Sequence, residues 1–408
     1  MYTSYRRVRS PVFCTEHGAE SRSLPFNDLT YDSKRFRPFT YTAATGKSGA
    51  KAAPKLPQVA SYSCMGLRSY LKEAIPSWRS LVWSQPPKGR IAVLTTVWSH
   101  HMQRSGYHHV AKGLGLPLQR QTTRLLPSRL SGLNGDYEAN QIALALKITR
   151  RDCLLVVDGD YELKLIGQIR RVTQARIYAV FHQIPKALEQ ILADPRPLLL
   201  DGAVCVARCQ IPLVQAIAPP GKTWFVPHGV DTDYFTPCGP RSDQPRVLCV
   251  GWHYRDFDTL RETADLIARA VPAALVRLVA ASSLLPSELD LGRVELVTDL
   301  SDEQLLEEYR RAWVVLLPLT DATANNSLLE SMACGTPIVV SDIGGVRDYV
   351  GPECGALCPP LDAKAHAAAT VELLLDSFRR VAAGHAARTR AETYAWPIVQ
   401  AQIRRILV

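Results

Sequence analysis

From residue 90 onward, short β-branched runs alternate with helical segments, and this alternation restricts the fold more than any other feature of the chain. Ile91–Val97, Cys153–Val157, Arg176–Phe181 and Gly202–Val206 have the length and composition of buried strands. Between them a polar loop with Gly106 leads into a helix through Val110. Tyr137–Thr149 is helical by period, Tyr161–Thr173 is amphipathic and Pro185–Leu192 is helical. The pattern returns after Trp224–Val226. Val247–Val250, Ala274–Ala280, Val294–Val297, Val314–Leu317 and Ile338–Val340 read as strands, and Asp258–Ala270 and Asp302–Arg311 as helices. Such alternation builds mostly parallel sheets, with ligands at the C-terminal ends of the strands.

With 408 residues, the chain suits two domains of roughly 150 residues and some remainder. The expected division is a basic extension over 1–88, a Rossmann-like domain over 89–220, a second over 221–393 and a last helix over 394–408.

The net charge of +10 resides at one end. Residues 1–90 hold 15 Lys/Arg and 5 Asp/Glu, and the other 318 residues hold 33 of each. A nucleic-acid-binding core should carry a basic face of its own, so this distribution argues against one. Residues 1–88 lack a sustained period, and prolines interrupt them. Three readings stay open for this segment. It is a disordered tail, which a start codon placed too far upstream could produce; a basic arm that touches anionic lipid; or an organelle transit peptide. Met65–Ala74 could form a helical turn or two.

No apolar run approaches the roughly 18–20 residues of a membrane-spanning helix. Ten cysteines occur, but none in the CxxC spacing of zinc sites. They read as reduced and mostly buried, in a cytoplasmic protein without a bound metal.

Two features sit at strand ends in the first half. Gly106, in Ser105-Gly106-Tyr107-His108-His109, would let the backbone approach an anion at the following helix N-terminus. It could equally serve only a tight turn. His182 caps the Arg176–Phe181 strand toward the expected cleft, where a hydrogen-bonded loop histidine is the plain alternative. In the second half, Asn325-Asn326-Ser327 open a helix whose free N–H groups and dipole suit a phosphate. Glu330 lies one turn further in. A carboxylate there can accept from both hydroxyls of a ribose.

At these residues the sequence resembles the retaining glycosyltransferases of the GT-B fold, family 4. The likeness covers about Arg90 to Leu407. It is carried by Val226-Pro227-His228-Gly229-Val230-Asp231-Thr232-Asp233-Tyr234-Phe235-Thr236-Pro237 and by Leu328 to Gly345, about 100 residues further on. The resemblance implies two Rossmann-like domains facing across a cleft, with the helix of Trp396 crossing back onto the first. It implies transfer of a sugar from a nucleotide diphosphate sugar to a sugar, lipid-linked or small-molecule acceptor, with retention of configuration and without a metal cofactor. Glu330 would hold the ribose. Asn325, Asn326 and Ser327 would cradle the diphosphate and sugar, with the Gly106 loop beside the phosphates. The strand end at Thr298-Asp299-Leu300 would hold the base, so Thr298 and Leu300 join the donor site. His228 and Gly229 would line the cleft, and His182 would stand at its sugar end.

The chain departs from the family pattern twice. The family's first glutamate, separated from the ribose-holding one by seven residues, would fall at Ala322, next to Asp321. The glycine–Arg…Lys pair expected after the first strand of the second domain is Gly251-Trp252-His253-Tyr254-Arg255, with no lysine following. Arg255 alone would then grip the diphosphate, unless it is a surface or helix-capping residue. Both departures keep two alternatives open: a nucleotide-sugar-binding protein of this fold with impaired turnover, and a GT-B epimerase or phosphorylase.

Overall fold

The computed structural model describes residues 91–94, 104–113, 150–162, 166–193, 200–286 and 288–408. All of them belong to one unit of the chain, Cys64–Val408. The extension over 1–88, the Met65–Ala74 turns and the Tyr137–Thr149 helix lie outside the described residues.

The first sheet holds β1 (Ile91–Leu94), β2 (Cys153–Val156), β3 (Arg176–Phe181), β4 (Gly202–Cys205) and β5 (Thr223–Phe225), paired in that order and all parallel. β2 and β4 are buried along their whole length. That is why their sequences are continuous apolar runs rather than alternating ones. β5 pairs with β4, Ala203 opposite Thr223, so the first sheet runs past the boundary expected after residue 220. At three residues β5 is too short to open a sheet of its own, and it adds to the edge already formed.

The second sheet comprises β6 (Arg246–Val250), β7 (Leu275–Ala280), β8 (Glu295–Thr298), β9 (Val314–Leu317), β10 (Ile338–Ser341) and β11 (Gly355–Cys358). Its order is β11-β10-β9-β6-β7-β8, again all parallel. The chain starts at β6, works outward to β8, then returns beside β6 as β9. The strand order therefore reverses between β6 and β9, and the crevice at their C-terminal ends is where such a sheet binds ligands. Local signals fix the helices flanking it. Asp256 caps the Phe257–Ala270 helix, accepting from Thr259 N at 3.0 Å. Ser301 and Gln304 form a reciprocal capping box at the start of Asp302–Arg311.

The last helix, Trp396–Leu407, returns to the first domain as the resemblance implied. Its buried residues Trp396, Val399, Ile403 and Leu407 fall on one stripe. They pack with Tyr107, Val110, Leu155, Val204 and Val226 against the first sheet. Gln400 Nε2 donates to the His109 carbonyl at 2.8 Å, and Val230 N to the Tyr394 carbonyl at 3.0 Å.

Six of the eight described cysteines are buried. Among the described residues no group of three His, Cys, Asp or Glu side chains is arranged to hold a metal ion. No described helix is long and apolar enough to cross a membrane.

Candidate active site

Asn325 precedes the Asn326–Ala333 helix as its N-cap, its Oδ1 accepting from Leu328 N at 3.2 Å. This fixes the direction of the first turn, which opens at the crevice between β6 and β9. Ser327, in that turn, donates to the Val250 carbonyl at the end of β6, 3.2 Å away. Arg255 comes to the same place from the loop after β6. Its Nε donates to the Val250 carbonyl at 2.9 Å, its Nη1 to the His253 carbonyl at 3.0 Å and its Nη2 to Ser327 Oγ at 3.2 Å. A guanidinium and a helix N-terminus thus share one spot, two independent attractions for an anion. Partial burial pulls the Arg255 pKa below the usual arginine value.

Glu330 is 5% exposed. Both of its oxygens are engaged. Tyr309, on the Asp302–Arg311 helix, donates its hydroxyl to Oε2 at 2.8 Å. Ser105, from the Gly106 loop of the first domain, donates to Oε1. Burial pushes the Glu330 pKa up to about 7, and the two hydroxyl donors pull against that rise. The carboxylate is therefore poised between its two forms near neutral pH. Gly106 has φ 106°, a backbone conformation that side chains disfavour, and so lets Ser105 turn across the cleft. Arg104, Ser105, Gly229, Asn326 and Glu330 line a cleft of about 10 Å³ there.

A second group of side chains lies beyond Gly106. Tyr107 meets the His182 ring at 4.8 Å, the His228 ring at 5.2 Å and the Trp396 ring at 5.6 Å. His182 is held by its own strand end. Its backbone N–H donates to Asp160 Oδ2 at 2.7 Å and its Nε2 to the Val157 carbonyl at 2.8 Å. Burial lifts the Asp160 pKa to about 6, opposed mainly by the nearby His182. Thr323 of the second domain donates to the His182 carbonyl at 2.5 Å. His228 Nδ1 donates to the Gly229 carbonyl at 2.7 Å, and its N–H to the Tyr349 hydroxyl at 2.9 Å.

The sequence-derived residues therefore fall into three places. Glu330, Asn325, Asn326, Ser327 and Arg255 converge at the helix start, with Gly106 and Gly229 closing over it. His182 and His228 gather around Tyr107. Thr298 and Leu300 flank the end of β8, two strands out from β6 and so about 10 Å away. Ala322 is buried, and its carbonyl accepts from Gly345 N at 2.9 Å. The neighbouring Asp321 turns back on its own loop, Oδ1 accepting from Ala322 N at 2.7 Å. Ser105 and Tyr309, the two partners of Glu330, were not singled out from sequence. Ser105 had only its place in the glycine loop. Tyr309 had only its place on the buried face of its helix, with Leu305 and Leu306.

Residues 244–376 match the family described as glycosyl transferases group 1. The chain is 27% identical to the D-inositol 3-phosphate glycosyltransferase of Thermobispora bispora, over 53% of this chain and 57% of that one. It is 30% identical to the MMP alpha-(1->4)-mannosyltransferase of Mycolicibacterium hassiacum, over 55% and 54%. The chain spans about half the length of the curated relatives it matches. Among solved structures, Anabaena HepE in complex with UDP-glucose superposes with a TM-score of 0.59 at 14% identity, covering 73% of this chain and 87% of that one. Sucrose-phosphate synthase of Thermosynechococcus elongatus gives a TM-score of 0.56 at 23% identity, covering 69% and 81%.

Proposed function

We propose that this chain, whose two sheets and returning helix form a GT-B fold and whose residues 244–376 match the group 1 glycosyl transferases, moves a sugar from a nucleotide diphosphate sugar to an acceptor. One observation carries the reading. A buried carboxylate, Glu330, lies one turn inside a helix whose N-terminus shares its anion-attracting spot with Arg255, at the point where the strand order reverses. A ribose diphosphate has that order of groups: two hydroxyls, then two negative phosphates.

In this reading the ribose hydroxyls take over the Glu330 oxygen that Ser105 now occupies. The Ser105–Glu330 contact opens to admit the ribose, and the domains close again over the donor. Departure of the nucleoside diphosphate builds negative charge on the β-phosphate. Arg255 and the Asn325–Ser327 turn stabilise it, without a metal. Thr298 and Leu300 flank the base, His228 and Gly229 line the cleft, and His182 contacts the sugar or the acceptor. The acceptor is a sugar, a lipid-linked glycan or a small molecule, and the anomeric configuration is retained. The reading puts the protein in the cytoplasm, with the basic 1–88 segment as its contact to anionic lipid. Co-sedimentation of the full chain with phosphatidylserine vesicles tests that last point, and charge-independent or absent binding sinks it.

Ala322 favours one second reading, a donor-binding protein with impaired turnover, since Asp321 is tied to its own loop rather than free to replace the lost glutamate. Labelled UDP-glucose and GDP-mannose with a panel of acceptors separate the two. Release of nucleoside diphosphate with product formation supports transfer, and binding without release supports the second. Glu330→Ala should abolish donor binding under both. Unchanged affinity in that variant removes the ribose assignment.

A further inference from the structure

Two buried polar groups in the Tyr107 cluster have no hydrogen-bond partner among the described residues, the Tyr107 hydroxyl and the Trp396 indole N–H. Tyr107 is 5% exposed. Leaving a hydroxyl unpaired in the interior is costly, and a phenylalanine would fill the same ring space without that cost. Among the described residues nothing answers that hydroxyl, which leaves it open to a ligand. Burial pushes its pKa up, so it stays protonated and is able both to donate and to accept.

Its place in the chain says which part of a ligand it meets. Ser105 touches Glu330, the ribose end of the site. Gly106 follows, where the backbone passes close to the phosphates. Tyr107 comes next, edge-on to His182 on the far side. Two residues of chain span about 7 Å. In the donor-site reading the loop would therefore run alongside a nucleotide sugar in the ligand's own order: ribose, diphosphate, sugar.

We propose that the Tyr107 hydroxyl binds a hydroxyl of the transferred sugar and determines which sugar the donor site accepts. This rests on the donor-site reading above. The ring is held from three directions, by His182 from β3, His228 from the interdomain segment and Trp396 from the last helix. A hydroxyl on a ring held this way discriminates by position, because it cannot follow a sugar whose hydroxyl points elsewhere.

The test uses full-length Tyr107→Phe and wild type, titrated calorimetrically with UDP, UDP-glucose, GDP and GDP-mannose. The variant should bind the bare diphosphates within twofold of wild type. It should bind the preferred sugar nucleotide about tenfold more weakly, the loss of one hydrogen bond to a neutral group. Its ligand-free melting temperature should equal or exceed that of wild type, because an unpaired hydroxyl is removed. Equal affinities for the sugar nucleotide overturn the proposal, as an ordered water on Tyr107 would produce. A melting temperature lower by several degrees also overturns it, since the hydroxyl then has a partner within the protein. A wild-type chain that binds none of the four ligands overturns the donor-site reading itself, and this assignment with it.

Discussion

The Tyr309 hydroxyl donates to Glu330 Oε2 at 2.8 Å, and both residues are buried. They stand on the helices that precede and follow β9 in the chain and pack on each other, so one carboxylate oxygen is held within the second domain and the other by Ser105 of the first. A ligand that displaces Ser105 finds the other oxygen already fixed.

Tyr309→Phe keeps the ring and removes this donor. The buried carboxylate loses a hydrogen bond, which costs about 1–3 kcal/mol of stability. Its proton affinity rises, so fewer molecules carry the ionised form at pH 7. UDP or GDP affinity, whichever the wild type binds, should fall several-fold at pH 7 and recover toward wild type at pH 8.5. A loss that is the same at both values would mean that Tyr309 only shapes the pocket.

The raised pKa of Glu330 also links its ionisation to folding. The folded-state value is about 7 against 4.5 for the unfolded chain. The folded protein therefore holds the proton more tightly. The associated stability is fully present below pH 4.5 and is lost as pH rises through 7, by an amount on the order of a few kcal/mol. In Glu330→Gln this dependence should vanish. Melting temperatures of the two proteins between pH 4.5 and 8 check it: the difference, variant minus wild type, should grow with pH across that window. A constant difference would place the Glu330 carboxyl near its ordinary value.

How far these features are legible in sequence depends on how locally they are determined. Asp302–Arg311 and Val314–Leu317 were readable to the residue. Ser301 and Gln304 mark the helix start, and four consecutive fully buried residues mark the strand. Glu330 and Ser327 were readable together because they lie on one helix, whereas Arg255 was singled out only through the family resemblance and is joined to them by its bond to Ser327. The helices Ala363–Leu375 and Ser377–Glu392 were not singled out. Their faces are rich in alanine, which looks alike whether buried or exposed. β5 was assigned to the wrong side of the domain boundary, because its partner β4 is set by pairing and not by its own three residues. The Ser105–Glu330 contact joins residues 225 apart in sequence, and only the packing of two domains creates it.

Arg255 supplies a test of the phosphate end. Its fork donates to two carbonyls and Ser327 at once, a geometry a lysine cannot reproduce. Arg255→Lys should weaken binding of UDP or GDP by roughly ten- to a hundredfold, the value of a hydrogen bond to a charged group. Uridine or guanosine, which lack phosphates, should bind equally to both proteins. If the nucleoside loses affinity as much as the diphosphate does, Arg255 acts on the shape of the loop and not on the phosphates.

Gly229 tests the joint between the domains. It lies where the interdomain segment meets the Trp396 ring, and a Cβ there would come within 2.8 Å of Trp396 Cζ3 and nearer still to two other ring atoms. The ring has little room to move, because His109 stacks on it at 5.4 Å and Tyr107 abuts it. Gly229→Ala should therefore cost about 1–3 kcal/mol by overpacking, and Trp396→Ala about 3–5 kcal/mol by leaving a cavity between the last helix and the first sheet. The two losses should not add. Once the ring is absent, the alanine methyl has space, so the double variant should be no less stable than Trp396→Ala alone. Chemical denaturation of the four proteins measures the cycle. Additive losses would show that Gly229 is constrained by something other than Trp396, and the last helix would then not be what holds the cleft-lining segment in place.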